Sequence, residues 1–239
     1  MALAVKEKII LALDVPNRRQ AGEILCKFHG QISWVKIGLQ LFCAEGPKVV
    51  RDARESGFRV FLDLKLHDIP NTVTNAIQAI SNLGVEMLTV HCLGGPSMLD
   101  AAVSAAKEAN IALLGVTCLT SMDENETRAI GYTASPTNVC LNLAKLANMF
   151  GLSGIVASPL EIRPIRHLFG DNFLIVTPGI RPKGSSLADQ KRTLDPASAF
   201  QAGSDYLVIG RPLYTAPDPV AALNAIVKDI EQSTKPQTY

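Results

Sequence analysis

The segment LDLKLHDIP, residues 62–70, sets Asp63, Lys65 and Asp68 into a run otherwise dominated by leucine. An acid, a base and a second acid at this spacing read either as an internal ion network or as a reaction site. Buried charges are costly unless paired, and well-packed apolar replacements are often as stable, so stability alone gives little reason for them. A lysine held between carboxylates stays protonated, because opposite charges favour its charged form. Such a lysine is a poor Schiff-base nucleophile and a well-placed proton donor, which suits protonation of a carbanion rather than covalent amine chemistry. Near the other end of the chain, TPGIRP (177–182) and IGRP (209–212) are Gly/Pro turns that carry Arg181 and Arg211. Turns of this kind hold anions through backbone N–H groups and a bidentate guanidinium, although GRP alone also reads as a capped surface turn.

These residues need elements to position them. Short β-rich apolar runs alternate along the chain with amphipathic, Ala-rich stretches. Strands are expected at 9–14, 34–38, 60–66, 87–91, 111–119, 154–158, 173–179 and 206–210. Helices are expected near 18–29, 45–56, 71–83, 98–109, 137–150, 159–168, 196–202 and 218–232, with Asn71, Ser97 and Thr137 as start signals. About eight βα units predict a closed (β/α)8 TIM barrel, with an open doubly wound sheet as the runner-up. No linker or shift in composition divides the chain, so one barrel domain over 1–239 is expected.

Side chains alternate across a strand. Phe61, Asp63 and Lys65 therefore share one face of the third strand, and Val60, Leu62, Leu64 and Leu66 share the other. With the leucines on the helix ring, Asp63 and Lys65 point into the barrel near the carboxyl ends of the strands, where active sites of this fold lie. The same parity turns Asp14 inward after strand one and Lys36 inward on strand two. The Arg181 and Arg211 turns follow strands seven and eight, the usual phosphate grip of such barrels. Between them, RPKGSSLADQKRTLDP (181–196) exceeds an ordinary βα loop and reads as a candidate lid or as a plain surface loop.

With 239 residues, 47% hydrophobic and 19% charged, the chain can bury a sizeable core. A net charge of +1 gives no footprint for nucleic acid or a membrane surface. Five scattered cysteines without a CxxC pair read as reduced thiols. The opening MALAVKEKIILALDV is interrupted by Lys6, Glu7 and Lys8 and lacks a cleavage pattern, so a soluble cytoplasmic protein is expected.

With these residues in place, the sequence resembles the orotidine 5′-phosphate decarboxylase family in its bacterial form. The likeness runs through LALDV (11–15), VKIG (35–38), FLDLKLHDIPNTV (61–73), VTCLTS (116–121), VTPGIRP (176–182) and VIGRP (208–212). Its most specific part is the DxKxxD spacing at 63, 65 and 68, followed by IPNT. The resemblance implies a homodimeric barrel that converts orotidine 5′-phosphate to UMP and CO2 with no metal and no organic cofactor. It implies Lys65 as the proton donor to C6, with Asp63 against the departing carboxylate and Lys36 completing the charged array. Asp14 and Lys36 reach the ribose hydroxyls, and Thr120 the pyrimidine edge. Asp68 enters from the neighbouring subunit with Ile69 and Thr72 beside it. Pro178, Arg181, Gln190, Gly210 and Arg211 form the phosphate end, Gln190 extending towards the base.

The remaining polar residues read more plainly. His67 lies past the strand end and suits a structural hydrogen bond; His91 is either a site wall or a support behind it. His29 and His167 read as surface or packing residues, and Trp34 and the cysteines as core or wall. A Mg-dependent sugar-phosphate enzyme on the same DxK framework is the nearest alternative, against which IPNT, Lys36 and Asp68 weigh. A nucleotide-binding barrel without chemistry is the non-enzyme alternative.

Overall fold

The computed structural model describes residues 5–182 and 193–233. Eight parallel strands close into a barrel in sequence order, each hydrogen-bonded to its neighbours and the last to the first. They are β1 (Ile9–Ala12), β2 (Trp34–Gly38), β3 (Arg59–Leu66), β4 (Met87–His91), β5 (Ala112–Val116), β6 (Gly154–Val156), β7 (Leu174–Thr177) and β8 (Tyr206–Ile209). The outer ring carries α1 (Arg18–Phe28), α2 (Leu39–Glu45), α3 (Pro47–Glu55), α4 (Pro70–Ser81), α5 (Gly95–Glu108), α6 (Glu124–Ala129) and α7 (Pro136–Met149). It continues with α8 (Ile162–Phe169), α9 (Pro196–Gln201), α10 (Arg211–Tyr214) and α11 (Pro219–Ser233). The closed order is the (β/α)8 barrel expected from the alternating pattern and rules out the open sheet.

Strand parity separates two cores. Outward residues such as Leu11, Leu13, Val35, Ile37, Val60, Leu62, Leu88 and Val90 pack against the helices. Inward residues Ile10, Ala12, Trp34, Phe61, Met87, Leu114, Val176 and Val208 fill the barrel itself. Trp34 meets Tyr206 edge-on at 5.7 Å, and the Arg59 guanidinium lies 4.0 Å from the Trp34 ring centre, covering it by a cation–π contact. This apolar plug leaves the inward positions nearer the carboxyl ends to polar side chains.

The third strand departs from plain alternation. Leu62 pairs with Leu88 and Leu66 with Val90, so β3 advances four residues while β4 advances two. Within this bulge Lys65 has φ +52°, a left-handed conformation that costs a non-glycine residue roughly 1–2 kcal/mol. Leu64 and Leu66 still pack on the outer core, so the expected division of faces survives the irregularity.

Several boundaries differ from expectation. Helix starts fall earlier than Asn71, Ser97 and Thr137, at Pro70, Gly95 and Pro136. Proline in the first turn presets φ and needs no N–H partner, so Pro70, Pro96 and Pro136 draw the start forward. The helix expected over 45–56 is α3, starting at Pro47; an unexpected helix, α2, precedes it and is set off by Gly46 with φ +63°. Helix α6, which starts with an Asp123/Glu126 capping box, carries no apolar periodicity to mark it. Cys26 and Cys43 are exposed rather than core or wall, because they lie on the outer faces of α1 and α2; Cys92, Cys118 and Cys140 are buried. Among the described residues no helix is long and apolar enough to cross a membrane.

Candidate active site

A cavity of about 280 Å³ opens at the carboxyl ends of the strands, close to the lower end of the roughly 300–1,000 Å³ usual for small-molecule sites. Its lining follows the inward register: Ala12 of β1 and Asp14 just past its end, Lys36 from β2, and Phe61, Asp63 and Lys65 from β3. Val116 of β5 follows with Cys118 and Thr120 beyond it, then Pro178 just after β7, and Val208 of β8 with Gly210 just after it. A groove of about 780 Å³ between α1 and α3 is larger, yet it lies on the helical surface around the Arg18–Asp52 ion pair and receives no strand-end side chain.

Four charges in the cavity form a continuous chain. Asp14 Oδ1 accepts from Lys36 Nζ at 2.9 Å, Lys36 Nζ lies 3.6 Å from Asp63 Oδ2, and Lys65 Nζ donates to that same oxygen at 2.8 Å. Lys36 and Asp63 are each only 9% exposed, so neither is solvated as a surface charge would be. Burial acts against charge on Lys36, but Asp63 and Asp14 outweigh it and hold the ammonium above its ordinary range. Burial likewise acts against charge on Asp63, and Lys36, Lys65 and a hydrogen bond from Thr89 outweigh it and keep the carboxylate ionised. The arrangement therefore presents fixed charges to a ligand in a partly dry pocket, where electrostatic interactions are strong.

The Gly/Pro turns that carry Arg181 and Arg211 open on the same cavity. Pro178, Gly179 and Arg181 follow β7, and Gly210 and Arg211 follow β8 at the start of α10. Gly210 lies against β1, where an added Cβ would meet Ala12 Cβ at 3.2 Å and Ala12 O at 3.3 Å. The polar stretch between the turns is clasped at its ends, Ile180 bridging Leu194 and Arg181 N–H donating to Leu194 O at 3.0 Å. Gln190 and most of the expected lid, 183–192, lie outside the described residues.

Asp68, Ile69 and Thr72 are not among the residues that line this cavity. Asp68 is exposed past the end of β3, where its Oδ1 accepts from the Ile69 N–H at 2.7 Å. Asp68 and Ile69 line a separate shallow groove with Leu93 and Met98, and Ile69 is 66% exposed. Thr72 is exposed in the first turn of α4. His67 stacks on His91, ring centres 5.5 Å apart, and makes no side-chain hydrogen bond of the kind expected of it among the described residues. Burial, with the charges of His67 and Lys65, pushes His91 down to about 4; its Nδ1 accepts from Leu93 N–H at 3.3 Å. His91 lines an apolar chamber beside the site rather than the charged cavity.

Two residues at the site escaped the sequence reading. Thr89 is fully buried on β4; its hydroxyl donates to Asp63 Oδ1 at 3.0 Å and accepts from Lys65 N–H at 2.8 Å. The signal was a polar residue at an inward position of MLTVH, which strand propensity for threonine masks. Gly38 closes β2, and a Cβ there would stand 2.9 Å from Lys36 Nζ and 3.3 Å from Asp14 Oδ1. Its missing side chain makes room for the ion pair, which nothing in the spacing of VKIG announces.

Comparison with known proteins bears on the whole barrel. The pattern of the orotidine 5′-phosphate decarboxylase / HUMPS family matches residues 7–226. An orotidine 5′-phosphate decarboxylase of Moorella thermoacetica is 47% identical over 234 residues, covering 95% of this chain and 93% of the relative. One from Opitutus terrae is 44% identical over 225 residues, covering 93% and 98%. The crystal structure of the orotidine 5′-phosphate decarboxylase from Lactobacillus acidophilus superposes with a TM-score of 0.82 at 38% identity, covering 94% of this chain and 99% of that one. A charged chain set on neighbouring strand ends, cationic turns after the last two strands and a likeness that spans nearly the full length agree, and the protein belongs to the orotidine 5′-phosphate decarboxylase / HUMPS family.

Proposed function

We propose that this chain, as one barrel domain, decarboxylates orotidine 5′-phosphate to UMP and CO2, the last step of de novo pyrimidine nucleotide synthesis, in the cytoplasm and without metal or organic cofactor. The observation that carries the reading is the Asp14–Lys36–Asp63–Lys65 chain lining one cavity with Arg181 and Arg211. Loss of CO2 from C6 of a uracil ring leaves an electron pair in the ring plane, where the π-system cannot delocalise it. Stabilisation must then come from charge already in place. In this reading the C6–carboxylate bond breaks with its electron pair kept on C6. A proton passes from Lys65 Nζ to C6, and the lysine regains one from water. Asp63, held in place by Lys36, Lys65 and Thr89, stands against the carboxylate that departs. Its repulsion of the substrate is relieved as neutral CO2 forms.

Asp14 and Lys36 serve the ribose hydroxyls, and Thr120 the pyrimidine edge. Pro178, Arg181, Gln190, Gly210 and Arg211 serve the phosphate, whose binding energy can help assemble the charged site. Asp68 of the partner subunit completes the array in a homodimer, with Ile69 of the partner subunit and Thr72 of the partner subunit beside it. The separation of Asp68 from the cavity of its own protomer supports that assignment.

The direct test follows orotidine 5′-phosphate spectrophotometrically with and without EDTA. Turnover to UMP that chelation leaves unchanged is expected. Activity abolished by EDTA and restored by Mg²⁺ would move the reading to the metal-dependent sugar-phosphate chemistry, and binding of UMP without turnover to a non-catalytic barrel. For the dimer, Lys65→Ala and Asp68→Ala proteins, each inactive alone, are mixed under conditions that exchange subunits. Partial recovery is expected from the site that keeps both residues; none, despite exchange, places both within one subunit.

A further inference from the structure

We propose that Thr89 is a positioning residue that sets the reacting pair, holding Asp63 by its side chain and Lys65 by its backbone through a single buried hydroxyl; this rests on the decarboxylase reading above. A threonine hydroxyl has one proton to give and lone pairs to receive. Here the proton goes to Asp63 Oδ1 at 3.0 Å, and a lone pair takes the Lys65 N–H at 2.8 Å. The second bond is the less ordinary one. Residues 62–66 of β3 run out of step with β4, and Lys65 sits in the left-handed region at φ +52°. At that point the Thr89 side chain takes the place of a ladder carbonyl, satisfying an N–H that the bulge turns away from the usual pairing.

The two contacts act on the same geometry. The left-handed conformation falls at Lys65, whose side chain lines the cavity together with that of Asp63, and Lys65 Nζ reaches Asp63 Oδ2 at 2.8 Å. Asp63 is then gripped at each oxygen, Oδ1 by Thr89 and Oδ2 by Lys65, with Lys36 at 3.6 Å. Thr89 is fully buried, so water cannot stand in for its hydroxyl. Without that hydroxyl, Lys65 N–H and Asp63 Oδ1 both lose a partner inside the barrel, and the strained turn loses what holds it.

The test compares Thr89→Val, which keeps the shape and removes the hydroxyl, with Thr89→Ser, which keeps the hydroxyl and removes the methyl. Thermal unfolding is recorded for both, and Thr89→Ala replaces the valine variant if that protein does not fold. For Thr89→Val, kcat is expected to fall about 30-fold with KM within about threefold, as for a lost hydrogen bond to a charged group. The acid limb of its kcat/KM profile moves to higher pH, because Asp63 has lost a donor that favours its ionised form. Amide hydrogen exchange at Lys65 accelerates at least about tenfold in the resting protein. Thr89→Ser stays within about threefold of the parent on every readout. The proposal is overturned if Thr89→Val keeps kcat within about twofold, if serine and valine lose activity alike, or if exchange at Lys65 is unchanged. Should the parent protein fail to turn over orotidine 5′-phosphate, the functional reading falls, while exchange at Lys65 still decides the role of Thr89.

Discussion

Charged side chains are drawn partly or wholly out of water at both ends of this barrel, and they are satisfied in different ways. At the amino ends of β7 and β8, Arg166 of α8 donates to the carbonyls of Gly170, Phe173 and Gly203 at 2.6, 3.1 and 2.6 Å. It also pairs with Asp205 at 2.7 Å, and Asp205 in turn accepts from Ile175 N–H at 2.8 Å. Glu86 repeats the device between β3 and β4, accepting from Val60 N–H at 2.8 Å and from Arg54. At the carboxyl ends, the ionic groups of Asp14, Lys36, Asp63 and Lys65 bond to one another and to Thr89, and all four line a cavity. Among the described residues Lys65 Nζ has Asp63 as its acceptor, so the ammonium retains donors for a ligand. Charge consumed by the main chain fastens strands, whereas charge held by side chains around an open space remains available for chemistry. Presence of a buried ion pair does not separate the two; the partners do.

The contrast is sharpest at Lys65. If Lys65 has the proposed role, Lys65→Ala is expected to lower kcat by at least about 10⁴-fold, from loss of the proposed proton donation and electrostatic stabilisation, with the melting temperature hardly changed. A spectrophotometric assay beside a thermal melt checks this, and a variant that keeps a tenth of the activity breaks the assignment. Arg166→Ala should do the reverse. Removing it strands Asp205 and three carbonyls and lowers stability by about 2–4 kcal/mol in urea titration, while kcat of the folded fraction stays within about twofold. A catalytic loss without a stability loss would erase the distinction between the two ends.

Gly38→Ala probes the mouth more gently. The added Cβ would crowd the movable tip of Lys36 rather than the backbone, so kcat should drop about tenfold while stability changes by less than about 1 kcal/mol. An unchanged kcat would mean that the Asp14–Lys36 pair tolerates displacement.

The smallest effect concerns His91, beside the mouth but outside the charged chain. The unfolded chain takes up its proton near the ordinary 6.5, whereas burial and the neighbouring charges of His67 and Lys65 withhold it from the folded state until about 4. Stability should therefore fall as pH drops through that window, because the unfolded state binds more protons there. His91→Gln should flatten that part of the stability curve in denaturant titrations, and a slope left intact would assign it to another group.

Much of the site was legible in the sequence because period-two alternation is local. Once β3 is a strand with its leucines outward, Asp63 and Lys65 must face inward, and the same counting places Asp14 and Lys36 beside them. Arg181 and Arg211 were legible because they directly follow β7 and β8. Other features depend on atoms distant in sequence. Thr89 looked like an ordinary strand threonine until β3 bulged against it, and Gly38 like a plain strand end until Lys36 and Asp14 met above it. Proline shifted the helix starts at Pro70, Gly95 and Pro136, a local signal that apolar periodicity overlooked.

The sequence by itself determined the order of the βα units, the faces of the strands and the residue types offered at the barrel mouth, since each follows from the chemistry of neighbouring residues. Tertiary structure alone decided the β3–β4 offset, the left-handed turn at Lys65, the single hydroxyl shared by Asp63 and Lys65, and the placing of Asp68 outside the charged cavity. Those depend on strand register and barrel closure, where small shifts between segments far apart in the chain decide which polar atoms can meet.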